Sequence, residues 1–435
     1  MNNYARMIRQ LNSTEIMKKL TTLYGQRDGM LLAQTTRYTR LIKKHEEIIN
    51  NGDVKLYMIS APGRAEIGGN HTDHNRGKVL AAAVNLDALA AVTHRDDNQV
   101  YIYSEGYETV HIDITSTTKR EDEKGTTASL LRGVATKFCE LGYRVGGFDA
   151  VIHSTVHSGS GLSSSASIEV LFCAILDELY NNNSLDFQTR AKISQYAENV
   201  YFEKPSGLMD QMASSCGGLS YIDFKEEETV VKPIAYDFAQ KGYAIVVVST
   251  GGSHDDLTAD YASIPSEMRA VASYFGAETL REVPFEQFMR SLPMIRQHVT
   301  EMNLNGDRAL LRASHYFAEN QRVHQQAEAL MQDDEKQFFR LIVESGHSSF
   351  MFLQNIFCKF DQQSLSIALM MSEIMLANDG AWRVHGGGFA GTTLNFVPQK
   401  QLKAYIAEME SVFGRHSCDV LDIRPVGPAC IVLGE

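Results

Sequence analysis

The densest group of side chains that could do chemistry lies in residues 61–75, which read APGRAEIGGNHTDHN. A proline, the arginine Arg64 and an adjacent glycine pair stand here with four further ionisable side chains. The run before them, VKLYMIS at 54–60, is patterned like a strand, which predicts that 61–75 is the loop at its end. Such a loop would hold a cation, imidazoles and carboxylates close enough to act on one small molecule.

A second informative stretch, HSGSGLSSSASIEVLF at 157–172, has the composition of an anion site. Small residues let the backbone approach a ligand, and the helix expected to follow would add its positive dipole end, so phosphate is the expected guest. Flexible turns are enriched in the same residues, which leaves a simple turn open as the alternative. The stretch connects a predicted strand directly to an apolar helix and lacks the lysine of GxxxxGKS/T. It therefore predicts a phosphate loop of another kind.

Two later stretches complete the set: ENVYFEKPSGLMDQMASSCGG at 198–218 and RVHGGGFAGTTLNFV at 383–397. Asp210 follows a Pro-Ser-Gly turn and opens a short amphipathic run, so its carboxylate is expected at a helix start, where a capping role is the alternative. Glu198, taken alone, is interpreted as a solvated helix residue. The three glycines at 386–388 permit positive φ and close packing, and a hairpin turn also explains them.

Length and composition set the broad class. At 435 residues the chain is longer than one core supports, so two domains with a cleft between them are expected. A globular composition and a formal net charge of −12 argue against a nucleic-acid surface. No run approaches membrane-spanning length and the amino terminus lacks a signal-peptide core, so we expect a cytoplasmic protein without a membrane partner. The six scattered cysteines show no metal-ligand spacing and are expected to be reduced and mostly buried.

Apolar periodicity predicts a mixed α/β arrangement in the first half of the chain. Residues 1–50 are helical in pattern. Further strands are expected in the runs KVLAAAVNLDALAAVTH, QVYIYS, TVHIDI and FDAVIHS. A helix through ASLLRGVATKFCELGY is expected to bury one apolar face, made of Leu130, Leu131, Val134, Phe138 and Leu141.

The second half of the chain has a different pattern. A strand at 243–250 opens it, and 264–380 is mostly helical before the glycine-rich stretch returns the chain to strand. The only tryptophan, Trp382, is expected in the core. The predicted fold class is α+β, with a mixed α/β domain over 1–235 and a helix-rich α+β domain over 236–435.

Taken together and in order, these stretches resemble the successive motifs of the GHMP small-molecule kinases, and specifically of the galactokinase branch. The matching runs are PGRAEIGGNHTDHNRGKVL, GSGLSSSASIEV, PSGLMDQMASSCGG and GGGFAGTTLNFV, and RASHYFAENQRV at 312–323 adds a fifth. The resemblance covers about residues 55–430. It implies a two-domain GHMP kinase fold with the active site in the cleft. It also implies an enzyme that moves the γ-phosphoryl group of ATP, with Mg²⁺, onto the anomeric hydroxyl of galactose.

The resemblance also implies roles for individual residues. Asp210 would be the catalytic base and Arg64 its electrostatic partner, which agrees with the need of phosphoryl transfer for positioning and charge stabilisation. The residues implied to bind the sugar are Asn70, His71, Asp73, Gly207 and Tyr261. The residues implied to wrap the ATP phosphates are Gly159, Ser160, Gly161, Leu162, Ser163, Ser164, Ser165 and Ala166. Ser165 and Glu198 would bind Mg²⁺ through oxygen.

The sequence departs from the galactokinase pattern at several places. Asn70 stands where the family has Glu, His157 where it has Pro, and Ala390 and Thr392 where it has Gly and Cys. Apolar FMFLQNIFCKF also replaces an acidic and tyrosine-containing stretch after 347–349. The acceptor is therefore open between galactose and a related sugar such as N-acetylgalactosamine, a pentose or another polyol. A sugar- and ATP-binding sensor without turnover is a third hypothesis, and a monomer is the expected state.

Overall fold

The computed structural model describes residues 3–50, 55–156, 161–251, 258–356, 361–377, 379–389 and 391–434. In the first half of the chain, helices precede a sheet whose strands alternate with further helices. These elements are α1 (Asn3–Gln10), α2 (Thr14–Tyr24), α3 (Met30–Ile48), β1 (Leu56–Gly68), β2 (Lys78–His94), β3 (Gln99–Ser104), β4 (Val110–Asp113), α4 (Thr127–Glu140), β5 (Phe148–Ser154), α5 (Ser164–Tyr180), α6 (Phe187–Tyr196), a π-helical turn (Ala197–Phe202), α7 (Met209–Cys216), β6 (Leu219–Asp223) and β7 (Val230–Ile234).

The second half of the chain is mostly helical between its first strand and its glycine-rich hairpin. Its elements are β8 (Tyr243–Ser249), α8 (Thr258–Tyr274), α9 (Phe285–Arg290), α10 (Leu292–Glu301), α11 (Gly306–Met331), α12 (Glu335–Ser348), a π-helical turn (Ser349–Leu353), α13 (Ser364–Leu376), β9 (Ala381–His385), β10 (Thr392–Pro398), α14 (Leu402–Phe413), β11 (Cys418–Leu421) and β12 (Ala429–Leu433). This order confirms the predicted α+β class.

Two sheets organise these elements. The first has the order β12-β1-β2-β5-β3-β4, with β6 and β7 extending it from β2, and only its β3–β5 pair is parallel. The second has the order β11-β8-β10-β9 and is antiparallel. Because β12 pairs with β1, the carboxyl-terminal strand lies in the first sheet. The division at 235 stays a prediction, and the last strand crosses it.

Apolar packing explains why β1 and β2 are buried along most of their length. At one end of these strands, a cluster packs them against α4, α5 and α6, and a second cluster packs them against α1, α2 and α3. At the other end, Ala65, Ile67 and Leu80 share one core with Phe338 and Phe396 from the second half of the chain. The two halves therefore meet on a common apolar core beside the segment that carries Arg64.

The stretch 61–75 is less of a loop than the sequence predicts. Its first part, through Gly68, continues β1 along β2, with register shifts between Pro62 and Arg64 and between Glu66 and Gly68. A proline cannot donate to the strand ladder, so an irregularity beside it is expected. The turn begins only at Gly69, and Arg64 is consequently held on a strand.

Two further expectations on burial are wrong. Leu141 is 49% exposed because it lies just past the end of α4, at the C-cap, instead of on the buried face. Among the cysteines that the structure describes, Cys173 is buried and Cys139 is exposed, while the other three are intermediate. These five are free thiols, as expected, and Cys358 lies outside the described residues. Trp382 is 8% exposed within an apolar cluster, which confirms its core placement.

Among the helices in the described ranges, none is both long enough and apolar enough to cross a membrane.

Candidate active site

Arg64 and Asp210 meet where β1 passes the start of α7. Arg64 Nε donates to Asp210 Oδ1 at 2.7 Å, and Ser163 Oγ donates to Asp210 Oδ2. Burial by itself would raise the pKa of Asp210, but the charge and hydrogen bond of Arg64, with the bond from Ser163, hold it below the ordinary value. Asp210 stays ionised, with 26% of its side chain exposed. Asp210 is the second residue of α7 and the N-cap is Leu208, so the capping interpretation is wrong.

The segment that leads into α5 is fixed against Arg64. Leu162 is fully buried and its carbonyl accepts the backbone N–H of Arg64 at 3.2 Å, while the Gly161 carbonyl accepts from the Arg64 guanidinium. Gly161 has a φ of +70°, and a Cβ there would overlap Thr392 Oγ1, so the position requires glycine. Residues 161–163 are therefore held by specific contacts, while the choice between a phosphate loop and a simple turn stays a prediction.

Three members of the predicted ATP set, Ser164, Ser165 and Ala166, form the first turn of α5. Their backbone N–H groups lie at a helix start, which is the arrangement that favours an anion. Two members, Gly159 and Ser160, lie outside the described residues, as do His157 and Ala390. Nucleotide contact by this segment stays a prediction.

Buried side chains of α11, the helix that contains RASHYFAENQRV, hold the turn over Gly69–Asn75 from the protein interior. Glu319 Oε1 accepts the Gly69 N–H at 3.0 Å, and His315 Nε2 donates to the Asn70 carbonyl at 2.9 Å. Both side chains are fully buried. The segment that resembled a fifth motif thus positions the turn from inside the protein.

The glycine-rich hairpin between β9 and β10 closes over this turn. His71 Nε2 donates to the Gly387 carbonyl at 3.1 Å, and Tyr261 from α8 donates to the Gly388 carbonyl at 2.9 Å. A Cβ on Gly387 would overlap the Tyr261 ring, which explains a glycine here. The hairpin interpretation of 386–388 is confirmed, and the same hairpin brings His71 and Tyr261 together. Burial lowers the pKa of His71 to about 4, so its imidazole is neutral at pH 7.

Asn70 lies deeper than the sequence suggests. Its side chain is fully buried, and its Nδ2 donates to Glu66 Oε1 at 2.8 Å and to the Gly386 carbonyl at 2.6 Å. Its Oδ1 accepts from Asn355 Nδ2 at 2.8 Å and from Ser349 Oγ at 3.3 Å. Substrate contact by Asn70 stays a prediction, and this interior placement does not support it. The amide instead connects the turn to the glycine-rich hairpin and to the segment after α12.

This network makes a prediction about stability. Asn70→Asp replaces an amide donor by a carboxylate facing Glu66 and a carbonyl, so the free energy of unfolding at pH 7 is expected to fall by about 2–3 kcal/mol. The measurement is urea unfolding of the variant and the wild type. Adding Glu66→Gln supplies a donor and removes one charge, so the double variant is expected to be more stable than Asn70→Asp alone. Unchanged stability in Asn70→Asp would show that the buried network is wrong.

Asp73 lies beside Asp210 and against the turn that precedes α7. Its Oδ2 accepts the Met209 N–H at 3.3 Å, its Oδ1 accepts the His74 N–H at 3.0 Å, and a Cβ on Gly207 would overlap the carboxylate. Burial first, and then the negative charge of Asp210, raise the pKa of Asp73 to about 6. Only glycine at 207 lets the two chain segments approach this closely.

The raised pKa of Asp73 predicts a pH-dependent effect on stability. Since the folded state binds this proton more tightly than the unfolded state, the carboxyl destabilises the fold as pH rises through 6 and has little effect below about 4. Asp73→Asn removes this penalty but leaves one of the two backbone N–H groups without its acceptor. Its effect on the free energy of unfolding is therefore expected to be about 1–3 kcal/mol more favourable at pH 8 than at pH 4.5, and urea unfolding of the variant and the wild type across this range measures the difference. An effect that does not vary with pH would contradict the assignment.

A second acidic group lies at the start of α5. Ser165 Oγ and Lys204 Nζ donate to Glu198 Oε1 at 2.8 and 2.9 Å, while Ser206 Oγ and Gln211 Nε2 donate to Oε2 at 2.6 and 2.8 Å. Glu198 is 2% exposed, so its interpretation as a solvated helix residue is wrong. The structure brings the two implied metal ligands, Ser165 and Glu198, into direct contact.

Sequence reasoning missed buried polar residues that contact Glu66 on β1. Arg383 pairs with Glu66 at 2.6 Å in the interior, and His385 Nε2 accepts the Glu66 N–H at 3.0 Å. Because that nitrogen is an acceptor, His385 Nδ1 carries the proton and donates to Thr392 Oγ1 at 3.1 Å. Arg383 and His385 stand in the quoted run RVHGGGFAGTTLNFV, so the signal was present, but only its glycines and the departures at Ala390 and Thr392 were interpreted.

Comparisons with known proteins indicate the family and the fold. The family model described as "GHMP kinases N terminal domain" matches residues 129–218, and "Galactokinase galactose-binding signature" matches residues 43–94. The fold is also that of solved relatives. A structure titled "Crystal Structure of Lactococcus lactis Galactokinase Complexed with Galactose" superposes with a TM-score of 0.78 at 22% identity, covering 90% of this chain and 99% of that one. A mevalonate kinase from Methanococcus jannaschii superposes with a TM-score of 0.60 at 14% identity, covering 84% and 98%. The fold is therefore the GHMP kinase fold.

Curated relatives narrow the class. A galactokinase from Haemophilus influenzae (strain ATCC 51907 / DSM 11121 / KW20 / Rd) is 30% identical over 372 residues, covering 83% of this chain and 91% of the relative. A galactokinase from Glaesserella parasuis serovar 5 (strain SH0165) is 30% identical over 361 residues, covering 81% and 88%. The chain belongs to the galactokinase family, which confirms the resemblance stated from its motifs.

Proposed function

We propose that this protein phosphorylates the anomeric hydroxyl of galactose with ATP, giving galactose 1-phosphate and ADP. Membership of the galactokinase family supports the reaction class, and the printed title of the Lactococcus lactis structure, a complex with galactose, supports the acceptor. The observation that carries the proposal is the contact of Arg64 and Ser163 with Asp210, next to the Asp73 carboxylate.

Asp210 is suited to act as the base. Its lowered pKa keeps it ionised, and its partly exposed carboxylate can accept the proton of the sugar hydroxyl as the oxygen attacks the γ-phosphorus. The bond from the γ-phosphorus to the bridging oxygen breaks, and ADP leaves with that electron pair. Arg64 keeps a positive charge beside the carboxylate and the transferred group, where negative charge must be stabilised.

The sugar would occupy the space bordered by the turn over Gly69–Asn75, the segment at Gly207 and the glycine-rich hairpin. Asp73 supplies carboxylate oxygens that accept bonds from hydroxyls, and His71 and Tyr261 supply polar ring edges. Their contacts with Gly387 and Gly388 support a pre-formed site, because those contacts hold both rings in place before a ligand arrives.

ATP would bind along residues 159–166, with its phosphates at the start of α5. Ser165 Oγ and Glu198 Oε1 are hard oxygen donors 2.8 Å apart, and they fit a magnesium ion that also binds nucleotide phosphates. The ammonium of Lys204 on the same carboxylate supports a preference for a cation there. Mg²⁺ would neutralise charge on the phosphates when bound. The monomeric state and the cytoplasmic location stay predictions.

The test is a sugar panel with the purified protein, ATP and Mg²⁺. Galactose is expected to give ADP at a rate far above the no-sugar control, with galactose 1-phosphate as the phosphorus-31 NMR product, and glucose is expected to give little. Turnover only with N-acetylgalactosamine, a pentose or another polyol would replace the acceptor and keep the reaction class. Nucleotide and sugar binding without turnover on any sugar would overturn the proposal in favour of a sensor.

A further inference from the structure

Lys204 places a positive charge beside the proposed nucleotide-binding segment, and the proposed function gives this side chain no role in binding or catalysis. Its Nζ donates to Glu198 Oε1 at 2.9 Å, the same oxygen that accepts from Ser165 Oγ at 2.8 Å. Its charge also acts on Asp210, whose pKa it helps to lower. The ammonium thus lies among the groups assigned to the metal and to the transferred phosphoryl group.

The backbone directs Lys204 to this place. The π-helical turn ends at Phe202, and its C-cap, Glu203, has a left-handed φ of +65°. The Lys204 N–H then donates back to the Glu198 carbonyl at 3.1 Å. A left-handed conformation is unfavourable for a residue with a side chain, so surrounding contacts must hold it. The Glu203 carboxylate supplies them through ion pairs with Lys119 and Lys124. The turn that presents Lys204 is therefore anchored from outside the site.

The Lys204 ammonium and a bound magnesium ion would compete for the same carboxylate oxygen of Glu198. A magnesium ion bound to Glu198 would need the oxygen that the ammonium now contacts, and two cations do not share it at close range. The Lys204 side chain is 58% exposed and has a flexible four-carbon stem, so its ammonium can leave the carboxylate without moving the backbone. Polyphosphate oxygens at the start of α5 would then be the nearest concentrated negative charge.

We propose that Lys204 is a nucleotide-binding residue: it pairs with Glu198 before nucleotide binds, and its ammonium then turns to the polyphosphate, where without metal it supplies part of the positive charge that Mg²⁺ supplies when bound. The inference rests on the proposed function, since it assumes that the segment binds ATP. The Lys204 ammonium would then contribute most to nucleotide affinity when metal is scarce.

The experiment is calorimetric titration of a non-hydrolysable ATP analogue, without sugar, in EDTA and in excess Mg²⁺. In EDTA, Lys204→Met is expected to raise the Kd about tenfold, the value of one hydrogen bond to a charged group. In Mg²⁺ the same variant is expected to raise the Kd threefold or less. The ratio of the Kd in EDTA to the Kd in Mg²⁺ is therefore expected to be larger in Lys204→Met than in the wild type. Lys204→Arg keeps the charge and is expected to stay within about threefold of the wild type in both buffers.

A matched control is Lys44→Met, which removes a similarly exposed lysine paired with Glu47 at 3.0 Å on α3, and it is expected to change neither Kd. Unchanged Kd values in Lys204→Met, or a smaller tightening by Mg²⁺ than in the wild type, would overturn the inference, the latter by showing that Lys204 only positions Glu198. Failure of the wild type to bind the analogue in either buffer would instead overturn the proposed function. Melting temperatures of all variants check that each is folded.

Discussion

Asp210→Asn is expected to lower kcat at least about a hundredfold while the Kd for ATP stays within a few-fold of the wild type. Asparagine has the size of the carboxylate but cannot take a proton from the sugar hydroxyl at neutral pH. The Arg64 charge beside it remains, so the nucleotide still meets the same cation. Steady-state turnover with saturating galactose and ATP, and calorimetric titration of ATP, measure the two effects.

The control for Asp210→Asn is Asp223→Asn, because Asp223 also pairs with an arginine, Arg281, at 2.8 Å, and lies on β6. This variant removes one aspartate–arginine pair outside the group formed by Arg64, Ser163 and Asp210, so its kcat is expected to match that of the wild type. Near-normal kcat in Asp210→Asn would remove Asp210 from the mechanism. Equal losses in both variants would show that the effect is structural.

Gly161→Val is expected to weaken ATP binding tenfold or more and to lower turnover with it. A Cβ at 161 overlaps Thr392 Oγ1, and a branched side chain must displace either the β10 hydroxyl or the segment itself. Either displacement disturbs the bond from Arg64 to the Gly161 carbonyl and the approach of phosphate to the backbone. Titration of ATP into the folded variant measures the loss.

Backbone strain alone must be separated from this crowding. Gly142 has a similar φ, +82°, with no atom within 4 Å of its ideal Cβ position among the described residues. Gly142→Val therefore imposes comparable strain, of about 1–2 kcal/mol, without the collision. It is expected to lower stability and leave the ATP Kd unchanged. If Gly161→Val does the same, the segment is only a turn.

Local pattern was sufficient for most of the elements. The strand over Phe148–Ser154 and the helix start at Met209 lie where alternation and the Pro-Ser-Gly turn predict them. The end of β1 was harder to predict, because Arg64 and Glu66 are polar yet lie on a buried strand. Each is stabilised there by a partner distant in sequence, Asp210 and Arg383, and periodicity carries no information about such pairs.

The candidate site was predicted only in part for the same reason. Motif order indicated that Arg64, Asp73 and Asp210 belong to one site, whereas elementary chemistry left Asp210 with a capping role as its alternative. The interior placement of Asn70 follows from its bonds to Asn355 and Gly386, which come from segments more than 280 residues away. The ion pair of Lys204 depends on the left-handed conformation of Glu203, which a glutamate in the sequence does not predict.

Phosphoryl transfer is proposed to take place at the Asp210 carboxylate, between the turn over Gly69–Asn75 and the start of α5. A crystal structure with galactose, a non-hydrolysable ATP analogue and Mg²⁺ would locate the reacting atoms. We expect the anomeric oxygen at hydrogen-bond distance, about 2.6–3.2 Å, from Asp210, with the terminal phosphate on its other side. Galactose bound with its anomeric oxygen turned away from Asp210, or bound outside the space bordered by Asp73, Gly207 and Tyr261, would contradict it.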